Sequence, residues 1–234
     1  MILELQNLNY YYLTYNNSLR KKHINEEFIN YKLHEVNPLN HESKIKSGAT
    51  GYLKMLDLAT RNQDRNKKFQ PFVCLEDDVK KYREFPEYLE IPNDTDLLYI
   101  GLSIFGKLVN TNEGIYDKVI YDNVNDDIIK LYNMLSSHGI IVCSNSGLLA
   151  LQKSLLEDYY TDTVGYDVTL AKIQPFYNIY ALRKPLVYQY GNIGGMENFT
   201  DIEYVSEKKN NIDNQDYLDY NCLSVKLCQL GSYH

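Results

Sequence analysis

At Phe72-Val73-Cys74-Leu75-Glu76-Asp77-Asp78, four apolar residues run straight into three adjacent carboxylates. A short unbroken apolar run reads as a strand buried on both faces, the kind that sits inside a sheet covered by helices. The acids then stand where the strand leaves the sheet, and open α/β sheets bind ligands outside the carboxyl ends of their strands. Side chains alternate along an extended chain, so Glu76 and Asp78 are expected on one side and Asp77 on the other. Two carboxylates on one side suit Mg²⁺ or Mn²⁺, especially when substrate phosphates supply further oxygen ligands. A solvated acidic turn after a strand fits the same residues.

The chain around this stretch alternates between strand and helix patterns. Residues 9–15 read as the first strand, and Asn16-Asn17-Ser18 supplies turn and N-cap residues for a helix over 19–30. The first turn of that helix carries Arg20, Lys21 and Lys22, cations at the positive end of the helix dipole. An anion docked there would offset the conflict; three solvated side chains are the alternative. A strand over 31–36 and a helix over 50–60 lead to the acidic strand. The order β-α-β-α-β is that of a parallel sheet flanked by helices.

Beyond the acids, 79–89 reads as one broken helix containing Pro86, and 96–101 as a strand. A loop over 107–128 holds a short strand at 119–121, and strands at 131–135 and 138–143 follow. Ser144-Asn145-Ser146 caps a helix over 147–156, and Asp167 stands at the start of another that runs to Ile173. Strands are expected at 177–182 and 186–190. From Met196 onward the chain is polar and Asn-rich with little periodicity. The expectation is one α/β domain over 1–195 with a mostly parallel, Rossmann-like sheet flanked by helices. A C-terminal extension over 196–234 would wrap the domain or be partly mobile.

Charge narrows the function classes. Lys+Arg 24 against Asp+Glu 31 gives a net charge of −7, which argues against a phosphate-tracking nucleic-acid binder. Nowhere do 18 or more apolar residues run together, so no transmembrane segment is expected. Met1-Ile2-Leu3-Glu4-Leu5 lacks the basic start and apolar core of a secretory signal. Cys74, Cys143, Cys222 and Cys228 form no C-x-x-C pair, and the first two lie inside apolar runs. Buried, reduced thiols and a cytoplasmic location fit that pattern.

Six segments, taken in order, resemble the family-25 glycosyltransferases, a group that includes lipooligosaccharide and collagen hydroxylysine galactosyltransferases. Leu13-Thr14-Tyr15-Asn16-Asn17-Ser18-Leu19-Arg20 is similar to the family's N-terminal segment, and Leu75-Glu76-Asp77-Asp78-Val79 to its acidic motif. Asp96-Leu97-Leu98-Tyr99-Ile100-Gly101 resembles its following strand. The region from Cys143 to Leu151, then Tyr166-Asp167-Val168-Thr169-Leu170, then the strand from Pro185 to Gln189 complete the series. The resemblance spans roughly 9–195. The chain departs from the pattern at Ser47-Gly48-Ala49-Thr50-Gly51-Tyr52, where the family usually carries Gly-Cys and Ser-His.

The resemblance implies a GT-A type fold, a UDP-sugar donor and a divalent metal, Mn²⁺ or Mg²⁺. It implies Asp78 and Glu76 as metal ligands, with Arg20, Asn16, Glu76 and Asp77 on the donor. Asp167 is the implied base that takes a hydroxyl proton in an inverting transfer; a helix cap is the alternative for the same residue. His138 and His234 are further possible metal ligands, with a loop position and a disordered tail as their alternatives. The expected reaction moves a hexose, galactose or glucose, to a hydroxyl of a glycan or protein acceptor. The departure at 47–52 keeps a non-catalytic nucleotide-sugar or glycan binder as a second reading. Mg-dependent phosphate-ester hydrolysis is a third.

Overall fold

The apolar run at 72–75 lies in a strand whose alternate side chains enter two different cores. Phe72 and Cys74 pack with Tyr52, Met55, Leu56 and Leu151 on one face, and Val73 and Leu75 with Leu5, Ile24, Phe28 and Phe85 on the other. The structure, a computed structural model, describes residues 1–15, 17–64, 68–103, 105–107 and 116–190. The first part of the chain forms β1 (Ile2–Glu4), β2 (Asn9–Leu13), α1 (Ser18–Glu27), β3 (Lys32–Val36), α2 (Lys44–Arg61) and β4 (Phe72–Glu76). Next come β5 (Val79–Lys81), β6 (Tyr88–Glu90), β7 (Leu97–Tyr99), β8 (Phe105–Lys107) and β9 (Tyr116–Lys118). They are followed by β10 (Tyr121–Asn123), β11 (Ile128–Leu131) and β12 (Gly139–Val142). Two helices, α3 (Asn145–Thr161) and α4 (Tyr166–Ile173), and two strands, β13 (Ile179–Leu182) and β14 (Val187–Gln189), end the described chain.

Eight strands form the central sheet in the order β10-β11-β13-β7-β12-β4-β2-β3. The β3-β2-β4 part is parallel, as expected, and so is the β13-β7 pair. The expectation of a mostly parallel sheet is corrected by the other four pairings, which are antiparallel. The β10–β11 connection is a short turn, and only antiparallel neighbours can be joined that way. β12 enters between β4 and β7 and runs against both, so β4 and β7 point the same way. The fold is therefore a single mixed α/β domain with helices on both faces of a mixed sheet. No helix among the described residues is long and apolar enough to cross a membrane.

Each longer helix starts on a capping side chain: Asn17 for α1, Ser43 for α2 and Ser144 for α3. The Ser43 cap explains why α2 begins well before residue 50. Gly48 and Gly51, which look like breakers, sit mid-helix at close approaches. A Cβ on Gly48 would lie 2.5 Å from Tyr166 Cε1, and one on Gly51 2.4 Å from Leu13 Cδ1. The broken helix expected over 79–89 is instead two strands, because β5 pairs with β14 and β6 with β1 in small ribbons outside the main sheet. The expected strand at 131–135 lies earlier, at β11, and α3 runs on past residue 156 to Thr161. Cys74 and Cys143 are buried free thiols. The expected extension over 196–234 lies outside the described residues.

Candidate functional site at the carboxyl end of β4

The strand ends at Glu76, and Asp77-Asp78 form a tight turn into β5. The alternation expected of an extended chain therefore stops before the last two acids. Asp77 and Asp78, not Glu76 and Asp78, share a partner. Arg20 Nη1 donates to Asp77 Oδ1 at 2.9 Å, and Arg20 Nη2 lies 3.4 Å from Asp78 Oδ2. Arg20 reaches them because the Asn17 side chain accepts from the Leu19 and Arg20 N–H groups and aims the first turn of α1 at the acids. Two anions thus stand beside the cations at this helix start, and both belong to the chain itself. Of the other two cations expected there, Lys21 pairs with Glu35 and Lys22 lies 3.8 Å from Glu26.

Neither carboxylate is fully used. Asp77 is 2% exposed and Asp78 8%. Asp77 Oδ2 and Asp78 Oδ1 are buried with no hydrogen-bond partner. A buried acceptor without a partner is costly. Burial raises the pKa of Asp78; Arg20 pulls it back down and Asp77 pushes it up. A solvated acidic turn does not describe this arrangement, because two of the three acids are buried.

Glu76 faces a different set of partners. Its Oε1 accepts from Ser137 Oγ at 2.6 Å and Tyr166 OH at 3.1 Å, and its Oε2 from Gln189 Nε2 at 3.1 Å. Burial, with the charge of Asp78 next, pushes its carboxyl up to about 7, against the lowering effect of the Ser137 and Tyr166 hydrogen bonds. Tyr15 stands half exposed beside the acids. Burial and the charges of Glu76 and Asp77 push its phenol up to about 12.

Asp167 arrives on the first turn of α4. That turn is held in place by Tyr166, whose ring lies against Gly48 and 4.9 Å from the Tyr52 ring. Asp167 Oδ1 accepts from the Val168 N–H at 2.9 Å, so the carboxylate does part of a capping residue's work. Burial raises its pKa, and its charge in turn adds to the upward push on Glu76. The fold thus brings Arg20, Glu76, Asp77, Asp78 and Asp167 into one neighbourhood from three separate elements. Asn16 and His234 lie outside the described residues.

His138 lies in the connection just before β12, the loop position that was its alternative, but it is buried there. It is 4% exposed, its Nδ1 lies 3.2 Å from Ser136 Oγ, and burial drives its pKa down to about 4. Its ring fills the space beside Gly101, where a Cβ would sit 2.2 Å from Nε2. Sequence reading missed the donors that hold Glu76. Gln189 carried a signal, since it ends an expected strand; what could not be read was that the strand would pair with β5 and so lie beside the acids. Ser137 carried none. Among the described residues, no group of three or more His, Cys, Asp or Glu side chains converges as a metal-holding set.

No protein-family model and no curated protein matches the chain. Among solved structures, the chain is similar to A197 from STIV. The match covers 80% of this chain and 86% of that one, at 12% identity and a TM-score of 0.38. A likeness that weak carries no argument about fold family or activity.

Proposed function

We propose that this chain is a metal-dependent, inverting glycosyltransferase of the GT-A type. It would move a hexose, galactose or glucose, from a UDP-sugar to a hydroxyl of a glycan or protein acceptor. One observation carries the reading. Two buried carboxylate oxygens, on Asp77 and Asp78, lack partners at the mouth of a central strand. Asp77 and Asp78 would each offer a divalent ion one unpartnered hard oxygen donor, with substrate phosphates completing the set, whereas both Glu76 oxygens already accept from Ser137, Tyr166 and Gln189. A Mn²⁺ or Mg²⁺ held there would supply charge stabilisation to a leaving diphosphate.

The chain's own side chains do the rest. Ser137, Tyr166 and Gln189 fix the Glu76 carboxylate in one orientation. Arg20 holds the Asp77-Asp78 turn and adds positive charge where a diphosphate would lie. Asp167, raised in pKa by burial, is the group for taking the acceptor's hydroxyl proton. A cytoplasmic setting accords with the buried reduced thiols.

One observation favours the second reading, a nucleotide-sugar binder without turnover. The stretch 47–52 that departs from the family pattern is occupied with packing, since Gly48 meets Tyr166 and Gly51 meets Leu13. Titration with UDP, with and without Mn²⁺, tests the donor site. Binding should need the metal and weaken at least tenfold in Asp78→Ala; equal binding by that variant removes the assignment. Release of UDP from a panel of UDP-sugars then separates transferase from binder. Activity on phosphate esters alone would point to the hydrolase reading.

A further inference from the structure

We infer that the Thr14 hydroxyl is a third oxygen ligand of the ion site, joining the unpartnered oxygens of Asp77 and Asp78 on the α1 side of the sheet. The inference deepens the proposed divalent-ion site and rests on that reading.

Thr14 is fully buried, and its hydroxyl has no hydrogen-bond partner. The other buried threonines among the described residues are all satisfied. Thr50 donates to the Ser47 carbonyl at 3.0 Å, Thr95 to the Pro92 carbonyl at 2.7 Å and Thr169 to the Tyr166 carbonyl at 3.0 Å. Each uses the carbonyl three residues back. In an extended chain that carbonyl lies roughly 10 Å away, so Thr14 needs a partner from elsewhere. A valine would fill the same space without an idle hydroxyl, and a buried hydroxyl left alone is costly.

The sheet sets that hydroxyl beside the acids. β2 and β4 are parallel neighbours with Leu13 opposite Glu76, so Thr14 and Asp77 are the next residues out. The Thr14 N–H donates to the Val36 carbonyl at 3.0 Å and keeps Thr14 in line with β2. Tyr10 and Tyr12 enter the core that holds Ile24 of α1, and Tyr11 and Leu13 the core that holds Met55 and Leu56 of α2. Alternation therefore sends the Thr14 side chain to the α1 side. Arg20, on α1, grips Asp77 and Asp78 from that same side. Glu76 turns the other way, to Ser137 and to Tyr166 on α4.

Arg20 and the ion would use different oxygens. Arg20 Nη1 takes Asp77 Oδ1 and Arg20 Nη2 lies near Asp78 Oδ2, while Asp77 Oδ2, Asp78 Oδ1 and Thr14 Oγ1 have no partner. Two carboxylate oxygens and a neutral hydroxyl are hard ligands of the kind Mg²⁺ and Mn²⁺ take, and a Ser or Thr hydroxyl serves in this way in P-loops. The guanidinium can thus stay on the two acids while an ion is held by their other oxygens. Three protein ligands leave the remaining octahedral positions to water or substrate phosphate.

Calorimetric binding of Mn²⁺ alone to the full chain tests the ligand without any assay of transfer. Thr14→Val keeps the shape of the side chain and removes its hydroxyl. Without metal, this variant should unfold at or above the wild-type temperature, because it loses an unsatisfied buried group. It should bind Mn²⁺ at least about tenfold more weakly than wild type. Thr14→Ser, which keeps the oxygen, should restore most of the affinity. Wild-type affinity in Thr14→Val, with binding lost in Asp78→Ala, overturns the Thr14 assignment and leaves the ion site standing. A metal-free Thr14→Val that unfolds well below wild type also overturns it, since the hydroxyl would then have a structural partner such as a buried water. If wild type binds no Mn²⁺, the ion site falls and Thr14 with it. If Mn²⁺ binds with the expected dependences but no UDP-sugar is turned over, the glycosyl-transfer reading fails while the ligand set stands.

Discussion

At the amino-terminal end of β7, Asp96 is 9% exposed and both of its oxygens are filled. Oδ1 accepts from Ser144 Oγ at 2.6 Å and Oδ2 from the Asn178 N–H at 3.1 Å. Ser144 in turn accepts from the Gly147 N–H, so the carboxylate fastens the start of α3 to the sheet. At the opposite edge, beyond the end of β4, Asp77 and Asp78 are as deeply buried, yet each has an oxygen with no partner. The difference teaches how to read a buried acid. Where each carboxylate oxygen has a donor, the residue is structural and its environment is complete. Where burial and missing partners coincide, the protein alone leaves the site incomplete, and a ligand is the natural completion.

The largest effect separates the two edges by stability. Asp96→Ala leaves the Ser144 hydroxyl and the Asn178 N–H without their acceptor, and should destabilise by about 3 kcal/mol. Asp78→Ala removes a carboxylate crowded by Asp77 and Glu76, and should change the stability of the metal-free protein by less than about 1 kcal/mol. Denaturant unfolding of the two variants measures both. Equal losses would abolish the distinction between a structural acid and an unfinished one.

Next is the space around each edge. A Cβ on Gly147 would fall 2.2 Å from the Asp96 carbonyl oxygen, which is backbone and cannot step aside. Gly147→Ala should therefore cost about 2–3 kcal/mol. On Gly48 the obstacle is the edge of the Tyr166 ring at 2.5 Å, a side chain that can rotate or shift. Gly48→Ala should cost about 1 kcal/mol. It should also loosen the Tyr166 hydroxyl from Glu76 and weaken Mn²⁺-dependent UDP binding, which Gly147→Ala leaves intact. A Gly48→Ala protein with full UDP affinity would show that the position of Tyr166 does not matter to the site.

These contrasts also mark what the amino-acid order could reveal. The strand at 72–76 was legible because its apolar run is buried on both sides, and the capped helices were legible from Asn17 and Ser144. The mixed character of the sheet was not, because the direction of β12 depends on which neighbours it enters between, not on its own residues. The broken helix expected over 79–89 failed for a related reason: β5 and β6 are strands only because β14 and β1 pair with them. In the site, the acids were visible as a cluster, but the turn at Asp77-Asp78 re-aimed two of them toward Arg20. The expected helix over 147–156 stopped short of Asp158, a buried residue that α3 carries before it ends at Thr161. Tertiary pairing supplied each missing piece.

The smallest expected effect tests the unfinished edge through pH. Burial raises both Glu76 and Asp78, so the folded protein holds their protons more tightly than the unfolded chain does. Between the ordinary carboxylate range near pH 4 and about pH 7, the native state thus binds more protons, and its stability falls as pH rises. A divalent ion takes only the ionised carboxylates, so it competes with those protons. The gain in Tm on adding Mn²⁺ should accordingly be larger at pH 8 than at pH 6, by roughly 2–4 °C. Asp78→Ala should lose the gain at both pH values, whereas Gly147→Ala, lowered in Tm throughout, should keep it. A gain independent of pH would mean that the ion binds away from the raised carboxyls, and the contrast between the two edges would then say nothing about where a ligand sits.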